Sequence, residues 1–296
     1  MEKTTCPNRP SDVEIARAAA LIREGKLVAF PTETVYGLGA NALDADAVRR
    51  VFAMKGRPST SPLIVHVSSI AMARRLVFEW PPIAAELVER YWPGPLTLVL
   101  KKLPLIPDEV TANLPTVGIR MPAHPVALAL IEAAGVPIAA PSANRFTQLS
   151  PTTAEHVRQA IGAELEMILD GGPTEVGIES TVISLISGEP VLLRPGMISL
   201  PDIAAAPGPE DGPHAAPGQH PKHYSPRTPL LLVENAELPA MGHGAYVGWH
   251  VAPAAARSIS MPANPHAYAA QLYSVLHELD AQHWDWIAVE QPPSGS

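Results

Sequence analysis

Residues 205 to 229, AAPGPEDGPHAAPGQHPKHYSPRTP, constrain the fold more than any other stretch of the chain. Proline locks φ and lacks a backbone donor, so a run this dense neither propagates a helix nor joins a central strand. It acts as a semi-rigid linker. It divides the sequence into a long part, residues 11 to 204, and a short part, residues 230 to 296. With 296 residues, 47% of them apolar, the chain can build one large core and one small one. The short part alone would be marginally stable.

In the long part, Ser11-Asp12-Val13-Glu14 has capping-box spacing, and Ile15, Ala18, Ala19 and Ile22 recur with helical period until Gly25. Helical patterns follow at 44 to 54, 81 to 91, 124 to 134 and 151 to 161. Strand-like runs occupy 27 to 30, 63 to 67, 96 to 101, 117 to 121, 166 to 169, 180 to 186 and 190 to 193, the last two joined at Ser187-Gly188. This irregular alternation predicts an α/β fold, a mixed twisted sheet with helices packed on it. The short part reads as a small α/β module, with strands at 230 to 233, 245 to 249 and 286 to 290 and a helix over 265 to 279.

Lys55-Gly56-Arg57-Pro58, after a helix and ahead of a strand, reads as an anion grip: a point charge and a planar fork one glycine apart. Two nucleotide motifs fail here. Gly37-Leu38-Gly39-Ala40-Asn41-Ala42 fits G-x-G-x-x-A, but the helix pattern starts only near Asp44, which is read as leaving a glycine turn, and the next strand ends without an acid for a ribose. No Walker sequence exists, because Gly25-Lys26 is followed by Leu27.

The 21 basic against 29 acidic residues, formally -8, argue against a protein that coats nucleic acid, while leaving a local basic cleft possible. With Cys6 as its one cysteine, the chain cannot form an internal disulfide, and no signal-like or membrane-length apolar run is present. A reducing cytoplasm is the expected home.

Within the linker, His220, His223 and Tyr224 could belong to a plain spacer, a metal site or a lid. Without Cys or acidic partners at ligand spacing the histidines are weak metal ligands, and a lid carrying an aromatic hydroxyl is the stronger alternative. Elsewhere polar residues interrupt strand ends: Arg120 in VGIRMP, Ser142 and Asn144 in APSAN, Ser180 in ESTV and Arg194 in LLRPG. Strand ends are where open α/β sheets hold ligands. Each such residue alone also fits a surface ion pair or turn chemistry.

Taken in order, FPTETVYGLG (30 to 39), KGRP with PLIVHV (55 to 67), YWPGPLTLVL (91 to 100), VGIRMP (117 to 122), APSAN (140 to 144), SPTTAEHV (150 to 157), ILDGG (168 to 172), ESTV (179 to 182) and LLRPG (192 to 196) resemble the YrdC/Sua5 family. APG (216 to 218) and HYSP (223 to 226), followed by a further module, resemble its longer Sua5 form. The resemblance implies a YrdC-like catalytic domain with helices around a concave, positive cavity, plus a small Sua5-type C-terminal domain. It implies an enzyme that joins L-threonine, bicarbonate or CO2 and ATP into L-threonylcarbamoyladenylate and releases pyrophosphate. A Kae1/TsaD-type transferase would then modify adenosine 37 of ANN-decoding tRNAs. Direct binding of tRNA, a double-stranded RNA, is allowed but not required.

Carried over residue by residue, the resemblance places threonine at Thr34, His66, Arg120, Ala140 and Ser180, with Arg120 clamping the carboxylate. It places the nucleotide at Lys55, Arg57, Ser61, Thr116, Ser142, Asn144, Arg194 and Tyr224. No covalent nucleophile is expected, since positioning and charge stabilisation suffice, with Lys55 and Arg57 holding phosphates. Mg2+ is expected on the ATP phosphates, without a protein cage. Ser61 stands where the family commonly has Asn, HYSP replaces HYAP, and no closing basic helix follows Glu290. Two rival readings remain: a nucleic-acid-binding module, and a carbamoyl-adenylate enzyme of another pathway, for which Cys6 alone offers no zinc cluster.

Overall fold

The computed structural model describes residues 9–200, 203–205, 224–234, 237–250, 252 and 255–291. Most of the linker, with His220 and His223, and also Cys6, lies outside the described residues. In chain order the elements are α1 (Asp12–Arg23), β1 (Val28–Phe30), β2 (Gly37–Asn41), α2 (Ala45–Lys55), β3 (Ile64–His66), α3 (Ile70–Arg74), α4 (Pro82–Tyr91), β4 (Leu96–Lys101), α5 (Asp108–Thr111), β5 (Thr116–Arg120), α6 (Pro125–Ala134), β6 (Ile138–Ala139), α7 (Ala154–Ile161), β7 (Met167–Ile168), β8 (Thr181–Ser184), β9 (Val191–Arg194), β10 (Leu230–Val233), β11 (Gly244–Gly248), β12 (Arg257–Ser260), α8 (Pro265–Asp280) and β13 (Trp286–Glu290).

The sheet is mixed, as expected. Its order is β7-β1-β2-β6-β3-β5-β4-β8-β9, with β1/β7, β3/β5 and β4/β8 parallel and the remaining pairs antiparallel. A second sheet, β10-β13-β11-β12, is parallel throughout. The α1 capping box forms as the spacing predicts: Ser11 Oγ accepts from Glu14 N, and Glu14 Oε2 accepts from Ser11 N. Ile15, Ala18, Ala19 and Ile22 face the core.

Three differences from the sequence reading have physical causes. Gly37–Asn41, read as a turn, is a strand: a Cβ on Gly39 would stand 2.8 Å from Phe30 Cε1, so glycine here lets a large aromatic lie flat on the sheet. Helices α3 and α5 are too short to show a period. Strand β12, RSIS, alternates half-buried with exposed residues and lacks an apolar run. The helix dock matters more for the site. α8 buries Tyr273, Leu276 and Leu279 in a cluster that includes Val35 and Leu149 of the larger part.

Candidate functional site

Strands β3 and β5 run parallel, with His66 and Arg120 in register at their C-terminal ends. β9 ends in Arg194, and the loop after α2 turns at Gly56, whose φ of 62° favours glycine, to deliver Arg57. These ends converge on a cleft lined by, among others, Thr34, Arg57, His66, Arg120, Ser142, Glu179, Ser180, Arg194 and Tyr224.

One wall is cationic. Arg57 donates through Nη2 to Ser61 Oγ at 2.5 Å and to the Pro62 carbonyl at 3.2 Å, while among the described residues its Nη1 has no hydrogen-bond partner. Burial, opposed by Tyr224 and reinforced by Arg194, brings Arg57 down to about 10, so it remains charged. Arg194 donates from Nε and Nη2 to the Ser180 carbonyl, from Nη2 to Ser180 Oγ and, at 3.5 Å, from Nη1 to the Tyr224 hydroxyl. Tyr224, held at φ 59°, is kept protonated by burial and by Glu179.

A second group of lining residues is backed by a buried ion pair. Arg120 Nη2 meets Glu33 Oε1 at 2.5 Å, with side chains 4% and 6% exposed. Arg120 Nη1 donates to Thr34 Oγ1 at 2.9 Å, and Nε donates to the Gly94 carbonyl. One N–H on each terminal nitrogen is not used by these bonds. His66 lies beside it with its ring edge on Phe30 at 6.1 Å, and its buried Nδ1 has no partner among the described residues.

Burial, then the Arg120 charge, pushes His66 down to about 3, so the ring is neutral at working pH and presents a hydrogen-bonding nitrogen instead of a charge. Unfolded, it titrates near 6.5. As pH falls through that value the unfolded chain takes up a proton that the folded chain refuses, so stability declines from about pH 6.5 towards 3, by up to ~1.4 kcal/mol per unit. His66→Asn is expected to show a shallower decline in urea unfolding between pH 7 and 5. Identical slopes in the two proteins would contradict this.

Of the residues expected from the sequence, Thr34, His66, Arg120, Ala140, Ser180, Arg57, Ser142, Arg194 and Tyr224 line the cleft. Four do not. Lys55 lies behind the wall, 2% exposed, with Nζ donating to the Ser142 and Asn144 carbonyls at 2.5 Å, and burial and Arg57 push it well below the usual lysine range. Asn144 uses its amide to hold the Arg145 and Gln148 carbonyls. Ser61 is occupied by Arg57. Thr116 stands at the far end of β5 from Arg120, in a mostly apolar depression that shares Ile64 with the cleft.

Sequence reasoning missed Glu33 and Glu179. Glu33 was inside a quoted motif, but nothing local signals that it pairs with an arginine 87 positions away. Glu179 is the one carboxylate among the described lining residues, and an acid just ahead of a strand that begins beside the cleft was the available clue. Among the described residues no group of three His, Cys, Asp or Glu could hold a metal, and no helix is long and apolar enough to cross a membrane.

Comparison with known proteins converges on one family. The Sua5/YciO/YrdC model, described as "Telomere recombination", matches residues 20–196, and a model described as "Threonylcarbamoyl-AMP synthase, C-terminal domain" matches residues 182–296. The threonylcarbamoyl-AMP synthase of Pyrococcus abyssi is 50% identical over 236 residues, covering 76% of this chain and 69% of that protein. The Bacillus subtilis protein of the same name is 49% identical, covering 76% and 68%. The crystal structure of P. abyssi Sua5 complexed with L-threonine superposes with a TM-score of 0.90 at 40% identity, covering 96% of this chain and 91% of that one.

Proposed function

The chain belongs to the Sua5/YciO/YrdC family, and on that premise we propose that its cleft makes L-threonylcarbamoyladenylate from L-threonine, bicarbonate or CO2, and ATP, as a threonylcarbamoyl-AMP synthase. The observation that carries the reading is the pairing of two different walls in one cleft. Arg57 and Arg194 suit a polyphosphate, while Arg120, Thr34 and the neutral His66 suit an amino acid.

The chemistry follows from placing these groups together. The threonine amine, as the free base, adds to the carbon of CO2 and loses a proton, giving a carbamate. A carbamate oxygen then bonds the α-phosphorus of ATP as the bond to pyrophosphate breaks. No covalent enzyme intermediate is needed. The protein aligns the reactants, stabilises charge on the departing pyrophosphate through Arg57 and Arg194, and keeps water from the labile carbamate, with Tyr224 as part of the cover. The adenosine end would extend over the apolar depression beside Thr97, Thr116 and Gly118. Lys55, Ser61 and Asn144 act from behind, holding Ser142 and Arg57 in place.

With a single carboxylate among the described lining residues, the donor set fits magnesium carried on the triphosphate and its waters. Arg57 and Arg194 would hold the phosphates that bear it, and the ion would supply further neutralisation of their charge. On this reading the enzyme is a nucleotidyltransferase, with the cytoplasm as its expected compartment. Its product passes to a Kae1/TsaD-type transferase for modification at position 37 of ANN-decoding tRNAs. Residues 11 to 204 would form the catalytic unit, 205 to 229 the linker and 230 to 296 the accessory unit.

The test is to incubate the protein with ATP, bicarbonate and each amino acid in turn. Pyrophosphate release is expected with threonine and to depend on bicarbonate. Release that is indifferent to the amino acid, or absent with threonine, would refute the reading.

A further inference from the structure

Helix α8 touches a carboxylate that lines the cleft. Tyr273, 7% exposed on α8, donates its hydroxyl to Glu179 Oε2 at 3.0 Å, and Ser150 Oγ donates to Glu179 Oε1 at 2.6 Å. Both oxygens of the one carboxylate among the described lining residues are therefore held from outside the cleft, one from each part of the chain. Burial and the carboxylate itself raise Tyr273 well above the ordinary phenol, so it stays a donor at any working pH.

The surrounding structure fixes this approach. A Cβ on Gly177, at φ 76°, would stand 2.5 Å from the Ala269 carbonyl oxygen, so the segment leading to Glu179 lies directly on α8. Two more hydrogen bonds close the same seam: Thr152 Oγ1 with Ser274 Oγ at 2.9 Å, and His277 Nε2 with the Ser150 carbonyl at 3.0 Å. The Tyr273 ring also packs against Tyr224, with centroids 6.1 Å apart.

An amino-acid substrate brings two charges into the cleft. Arg120 suits its carboxylate, and the lining hydroxyls of Thr34, Ser142 and Ser180 are neutral. Among the described lining side chains, Glu179 alone offers a carboxylate to the ammonium group. A carboxylate has about four acceptor sites, of which Ser150 and Tyr273 occupy two.

We propose that Tyr273 is a positioning residue of the cleft, which together with Ser150 fixes the Glu179 carboxylate so that its remaining lone pairs receive the substrate's ammonium group. This gives the C-terminal module a part in amino-acid recognition, and it rests on the synthase reading above.

The experiment uses the full chain and compares, by calorimetry, L-threonine with 3-hydroxybutyrate, which lacks only the amino group. Wild type is expected to prefer threonine, Glu179→Gln to lose that preference, and Tyr273→Phe to reduce it about tenfold, the effect of one charge-assisted hydrogen bond. The Tyr273→Phe/Glu179→Gln double variant should bind threonine no more weakly than Glu179→Gln alone, and KM for ATP should stay within about twofold of wild type in all three. An unchanged preference in Glu179→Gln, or a Tyr273→Phe effect that adds in full to Glu179→Gln or falls equally on ATP, would overturn the proposal, since a merely structural contact behaves that way. Absent threonine-dependent pyrophosphate release from wild type would refute the synthase reading separately, because the amino-group preference is read from binding alone.

Discussion

Arg57→Ala is expected to lower threonine-dependent pyrophosphate release by roughly 100- to 1,000-fold at saturating ATP, the effect of removing one preorganised charge from a developing anion. The fold should hardly notice. Arg57 is buried against cations, with Arg194 lowering its pKa and Lys55 lowered by it, and its hydrogen bonds go to Ser61 and the Pro62 carbonyl. Its removal strands no buried counter-charge and relieves repulsion, so urea unfolding should shift by less than about 1 kcal/mol. Quenched-flow or coupled pyrophosphate measurement would decide it: near-normal turnover at saturating ATP would remove Arg57 from the phosphate wall.

The same contrast explains what the sequence could and could not reveal. Local rules worked where one segment decides the outcome. Ser11 and Glu14 announce the start of α1, and the apolar runs at 230 to 233 and 286 to 290 become neighbouring parallel strands. Gly37–Asn41 failed because propensity counts glycine against a strand, whereas here the missing side chain is what Phe30 packs into. Strand-end polar residues pointed to the cleft, and motif order named its occupants. Motif order could not distinguish a residue that faces the cleft from one that holds the wall. Lys55 and Asn144 stand beside the lining residues Arg57 and Ser142 in the chain, yet their polar atoms are turned to backbone carbonyls. Contacts such as Glu33 with Arg120 or Tyr273 with Glu179 join positions with no shared period, so only the folded chain displays them.

Arg120→Ala should have the larger effect on stability, and for a reason opposite to that of Arg57. Its partner Glu33 is buried, accepts one further hydrogen bond from Ala123 N, and would be left with no cation beside it. Breaking such a pair from one side costs about 3–5 kcal/mol, most of it the stranded carboxylate and not the worth of the pair. Weaker threonine binding by this variant would therefore be ambiguous, since a loosened wall and a lost clamp predict the same change. Pairing it with Glu33→Gln resolves the ambiguity. The double variant buries no lone charge, so urea unfolding should recover about 2 kcal/mol of the loss. Threonine affinity should not recover with it, remaining roughly 10- to 100-fold below wild type because the clamp itself is gone. Affinity that returned in step with stability would make Arg120 a structural partner of Glu33 and leave the substrate's carboxylate to another group in the cleft.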